Sequence, residues 1–135
     1  MPNVTLNVIL KDGNLDVDQS GNGNQMGHGQ VTTISWQLTG NAASGTFNAL
    51  DAGNKGFAWL PSPAPQPPTG VFTGLQLLPN GKIQITDNNN DPGGVNSAGS
   101  WAYQLWATIG GTQYSTIADI VNPTGVVTNP TIQNR

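Results

Sequence analysis

The chain has 135 residues, a net charge of −3 and no cysteine, so it suits one domain held together by packing alone, without disulfides. No stretch approaches the ~18 apolar residues of a membrane span. Its four basic residues, Lys11, Lys55, Lys82 and Arg135, are too scattered to form the basic groove that nucleic acid or an anionic membrane requires.

All seven acidic residues are Asp, which favours turns over helices. Charged residues are only 8% of the chain, against the roughly 25–35% typical of a well-dissolved surface. Asn, Thr, Ser, Gln and Gly must cover the outside instead, and such a surface repels its own copies weakly, so a homo-oligomer is an expected partner state. The start, Met1-Pro2-Asn3-Val4-Thr5, has neither a basic region nor an apolar run of the secretory type. A cytoplasmic location as synthesised is therefore expected, with non-classical export as the alternative.

Along the chain the dominant period is two. Val4, Leu6, Val8 and Leu10 alternate with Asn3, Thr5, Asn7 and Ile9 as in a half-buried strand. Asp12-Gly13 follows, a hairpin signal because a type I′ turn needs two positive φ angles. Pairing across it sets Leu10 against Leu15 and Val8 against Val17, with Asp16 and Asp18 on the outer face. Residues 20–30 read as a Gly-rich loop. Thr32, Ile34, Trp36 and Leu38 form the next inward row, followed by a turn cluster from Gly40 to Gly45. Phe47 and the 57–60 stretch are short apolar pieces. Residues 61–68 carry five prolines, which cannot donate to a sheet, and read as a stiff polyproline-like connector. Strands over 71–78 and 82–86 flank Asn80-Gly81, and residues 87–99 read as a polar loop.

Trp101, Tyr103, Leu105, Ala107 and Ile109 then point inward. Gly110-Gly111 turns the chain so that Ala107 faces Tyr114, while Trp106 points outward. Ile120-Val121, a turn at 122–125, Val126-Val127 and Thr131-Ile132 close the chain. Short strands at this spacing, with no credible helix, predict an all-β fold: a single antiparallel β-sandwich, immunoglobulin-like, of seven to nine short strands spanning 1–135. A closed barrel is the alternative.

Catalytic signals are weak. The one histidine, His28, lies in the Gly-rich loop; Asp16 or Asp18 could orient it, but no G-x-S-x-G elbow is present. One histidine and no cysteine cannot assemble a zinc site. Calcium takes oxygen ligands, and Asp87, Asn89 and Asp91 at spacing two, with Asn96 following, are the candidate set, although no bidentate Glu follows. Asp16-Val-Asp18-Gln-Ser20-Gly21 is a second, weaker candidate. A sugar platform needs an exposed aromatic ring beside amides and hydroxyls. Trp106 supplies the ring, with Gln104 and Thr108 on its own strand and Gln113 and Ser115 opposite.

Two resemblances bear on these residues. Ser100 to Ile117, followed by Asn129-Pro-Thr-Ile-Gln-Asn134, resembles the end of the DP-EP family of small bacterial β-sandwich proteins, a family without assigned catalytic residues. The segment Val31 to Asn48 is similar as well. Separately, Lys82 to Ile109 resembles the calcium loop of small galactose-binding bacterial lectins. That second resemblance implies Asp91, Asn96 and the Val95 carbonyl as calcium ligands. The combined expectation is a non-catalytic, lectin-like binding module for a glycan, requiring no cofactor or supported by calcium. A structural, self-assembling protein is the alternative.

Overall fold

The computed structural model describes residues 2–118 and 129–135. The Ile120-Val121 and Val126-Val127 pieces, with the turn between them, lie outside the described residues. The chain is an all-β sandwich of two sheets. Its strands are β1 (Asn3–Lys11), β2 (Asn14–Val17), β3 (Gln25–Met26), β4 (Gln30–Leu38), β5 (Thr46–Phe47), β6 (Phe57–Trp59), β7 (Phe72–Leu77), β8 (Ile83–Asn89), β9 (Gly99–Ile109), β10 (Thr112–Ser115) and β11 (Thr131–Asn134). This exceeds the expected seven to nine because β3, β5 and β6 are only two or three residues long, too short to show a period.

The first sheet runs β2-β1-β4-β8-β7. The second is organised on β9. Along one of its edges β11 and β10 pair with it, fixed by Tyr103 N–H to Pro130 O and Thr116 N–H to Leu105 O. Along the other edge lie β6 and β5, with Leu60 N–H donating to Ala102 O and Trp106 N–H to Gly56 O.

The hairpin registers follow the side-chain pattern. Val8 pairs Val17 and Leu10 pairs Leu15, across a turn where Asp12 and Gly13 both have positive φ (52° and 81°). Ala107 pairs Tyr114. Not every pairing is antiparallel, however: β1 runs parallel to β4, and β11 parallel to β3. The hairpin to β2 occupies one edge of β1, so its other edge is met by a strand that arrives after a crossover, in the same direction.

Alternation buries one face of each long strand. Leu6 and Val8, Ile34 and Trp36, Ile83 and Ile85, and Tyr103, Leu105 and Ala107 form the core, joined by Ile132. Trp36, Phe57 and Tyr103 pack with ring centroids 5.1–5.2 Å apart. Trp101 is buried, as expected. Trp59 is only half-buried and stands at the core margin, tilted on Phe72 at 4.7 Å.

Two local expectations are corrected. Residues 61–68 are not a straight rod: Ala64 N–H donates to Pro61 O, the Ser62–Pro63 peptide is cis, and Gln66 Nε2 reaches back to the carbonyls of Leu60 and Ala64. Residues 87–89 are strand rather than loop, because β8 continues through Asn89 opposite Gln30.

Candidate functional site

β9 is buried on one face and presents Gln104, Trp106 and Thr108 on the other, each half-buried. Cross-strand pairing builds this row into a platform. Thr108 lies between Thr46 of β5 and Gln113 of β10. Trp106 lies between Ser115 of β10 and Asn48, whose backbone N–H donates to the Trp106 carbonyl. Gln104 pairs with Ala58 of β6. Trp106 and all four residues expected around its indole therefore share one face.

Hydrogen bonds set the amides of this face in place. Thr108 Oγ1 donates to Asn48 Oδ1 at 2.8 Å. The Asn48 and Asn54 amides both donate to Gln113 Oε1, at 3.2 and 2.9 Å, and Asn48 also donates to the Asn54 carbonyl. Gln113 Nε2 remains a donor, and the platform carries no charge. Asn48 and Asn54 escape a reading of the sequence because a two-residue strand leaves no period. The one available signal is that Thr46 and Asn48 bracket Phe47 as polar neighbours of an inward ring. Gly56 anchors the loop carrying Asn54, since a Cβ there would stand 2.1 Å from the Asn48 carbonyl oxygen.

The four expected calcium ligands are placed differently from one another. Asp87 and Asn89 sit on β8 with their side chains inside the sandwich, both fully buried. Asp87 Oδ1 accepts from Asn134 Nδ2 at 3.0 Å, and its Oδ2 has no hydrogen-bond partner. Burial pushes its carboxyl up to about 6, with the Asn134 hydrogen bond opposing. Asn89 and Asp91 meet at the Ser97 hydroxyl, 2.8 and 3.0 Å from their Oδ1 atoms. Ser97 N–H also donates to Asp91, and these bonds from Ser97, with His28 in a lesser part, hold the Asp91 carboxyl below its ordinary value. Asn96 is exposed, and its Oδ1 takes the Ala98 N–H. These oxygens thus serve as acceptors for the chain's own donors, closing the 91–97 loop. Among the described residues no group of three or more His, Asp or Glu side chains gathers as a metal centre.

His28 is exposed and pairs with Asp91, Nε2 to Oδ2 3.5 Å, rather than with Asp16 or Asp18. Asp91 therefore stands between the imidazole and the Ser97 hydroxyl. In a nucleophilic triad the imidazole stands in the middle to take the hydroxyl proton, so this cluster has the wrong order, and Ser97 is fully buried. In the weaker calcium candidate, Asp18 Oδ1 takes the Ser20 N–H at 2.9 Å, and Asp16 is exposed on β2.

The molecule is thus a two-sheet β-sandwich bearing an uncharged face of amides and hydroxyls around one tryptophan. Comparison with family models, curated proteins and solved structures finds no match to this chain.

Proposed function

We propose that the chain is a non-catalytic carbohydrate-binding module that reads a glycan on the outer face of β9. The observation that carries this reading is the setting of Trp106: a half-buried indole flanked by Gln104, Thr108, Gln113, Ser115, Asn48 and Asn54 on one uncharged face. A pyranose ring has an apolar C–H face and a hydroxyl rim. An indole serves the first, while preset amides and hydroxyls serve the second without the cost of ordering them on binding. The test is retention on immobilised glycans. Trp106→Ala should abolish retention and leave the melting temperature nearly unchanged; a large loss of stability with unchanged retention would sink the reading.

A second reading, self-assembly, has its own observation. β7 is the outer strand of the first sheet, its Leu75 and Leu77 are 39% and 38% exposed, and no charged residue lies between Phe72 and Leu77. Unprotected edges of this kind pair with further strands, although the irregularity between Thr73 and Gln76 blunts this one. Light scattering across a concentration series tests it: growth in mass supports assembly, and a constant monomer mass removes it.

A further inference from the structure

A depression of about 360 Å³ opens where the 78–82 turn faces the start of β5. Gln37, Leu38, Gly45, Thr46, Asn80 and Lys82 are among its lining residues. It adjoins the Trp106 platform. Thr46 pairs with Thr108 on the outer face, one pleat repeat (about 7 Å) along β9 from Trp106. Gly45 packs directly on β9, since a Cβ there would stand 2.9 Å from the Thr108 carbonyl oxygen and 2.3 Å from Ile109 Cγ1.

Lys82 is the only charged residue in this lining, and it is half-buried. Among the described residues no carboxylate forms an ion pair with it. Its backbone is held at both ends: its N–H donates to Asn80 Oδ1 at 3.0 Å, and its carbonyl accepts from Leu78 N–H at 2.8 Å. Gly81 N–H closes the turn onto Leu78 O. Lys82 thus has a fixed backbone root and shares the lining with Thr46, Asn80 and the apolar Leu38. Another depression among the described residues, about 480 Å³, contrasts with it: Asp16 and Asp18 are in its lining and would repel an anion.

We propose that the glycan read at Trp106 is acidic, with its anionic oxygens seated in this depression against Lys82, Thr46 and Asn80 while a neighbouring ring lies on the indole. This rests on the carbohydrate reading and adds the substrate class to it. The protein's net charge is −3, so the anion gains nothing from long-range steering. Selection must come at contact, where charge on a half-buried lysine is less screened than on a fully exposed one. A carboxylate and a sulfate ester present the same chemistry to this site.

The experiment compares paired probes by affinity electrophoresis at low and high salt. The pairs are polygalacturonate against its carboxyl-reduced form, and dextran sulfate against dextran, with wild type, Lys82→Gln and Trp106→Ala. At low salt wild type should bind the acidic member of at least one pair about tenfold more tightly. Which pair shows the preference identifies carboxylate or sulfate. Lys82→Gln should bring acidic binding down to the neutral level and leave neutral binding intact. Equal binding of acidic and neutral members by wild type, or a preference that survives in Lys82→Gln, overturns the proposal while leaving the Trp106 reading in place. Binding indifferent to Trp106→Ala overturns both.

Discussion

The indole N–H of Trp36 donates to the phenolic oxygen of Tyr103 at 2.8 Å, both residues fully buried, so one hydrogen bond ties β4 of the first sheet to β9 of the second. Phe57 stacks on Tyr103 and tilts against Trp36, sealing that bond from water. Tyr103→Phe keeps the ring and removes only the acceptor. It should cost about 1–3 kcal/mol, the penalty for stranding a buried donor. Urea unfolding with an unchanged m-value is the measurement, and a change below about half a kcal/mol would show that the bond contributes little.

Asp87 sets a second prediction. Its folded-state carboxyl is raised to about 6 from an ordinary value of 3.8, so the native state holds the proton more tightly than the unfolded chain. Its contribution to stability is therefore fully present below about pH 4, lost as pH rises through 6, and flat above. The full span is about 3 kcal/mol. Asp18 and Asp91, held below their ordinary values by hydrogen bonds from Ser20 and Ser97, act in the opposite sense and only at lower pH. The melting temperature should fall between pH 4.5 and 7, and Asp87→Asn should flatten that slope. A slope identical in the variant rules out Asp87 as its source.

Calcium and chelator should give the same melting curve. An ion held at 100 times its dissociation constant adds about 2.7 kcal/mol, but to bind here it would have to displace the Ser97, Ala98 and Asn134 donors from the Asp87, Asn89, Asp91 and Asn96 oxygens. An upward shift of several degrees in calcium would mean that the 91–97 loop rearranges into a metal site.

Gly56 and Gly53 make a matched pair on the loop that carries Asn54. A Cβ on Gly56 meets the Asn48 oxygen at 2.1 Å, while one on Gly53 meets nothing within 4 Å. Gly56→Ala should destabilise by roughly 1–3 kcal/mol and weaken glycan retention by displacing Asn48 and Asn54. Gly53→Ala should stay within about half a kcal/mol. Equal melting temperatures for the two variants would show that the loop is not packed as described.

Long alternating strands and their hairpins are legible from residue order alone. Val8 against Val17 and Ala107 against Tyr114 follow from a period of two and a Gly-containing turn, and so does the outward set of Trp106. Three features are not legible. Local pattern carries no strand direction, so the parallel pairing of β1 with β4 is invisible. Asp87 and Asn89 have loop-forming side chains, but β4 and Asn134 supply enough pairing to draw them into the interior. Lys82 and Thr46 are 36 residues apart in the numbering, and only the meeting of a turn with a two-residue strand places them in one depression.

Because four separate segments flank β9, two along each edge, freeing its backbone means parting β5, β6, β10 and β11. Its amides should therefore exchange with solvent only through global unfolding. Trp106 is thus carried on a strand held by pairing along both of its edges. Recognition there would be lock-and-key in character, its surface already shaped before any partner arrives.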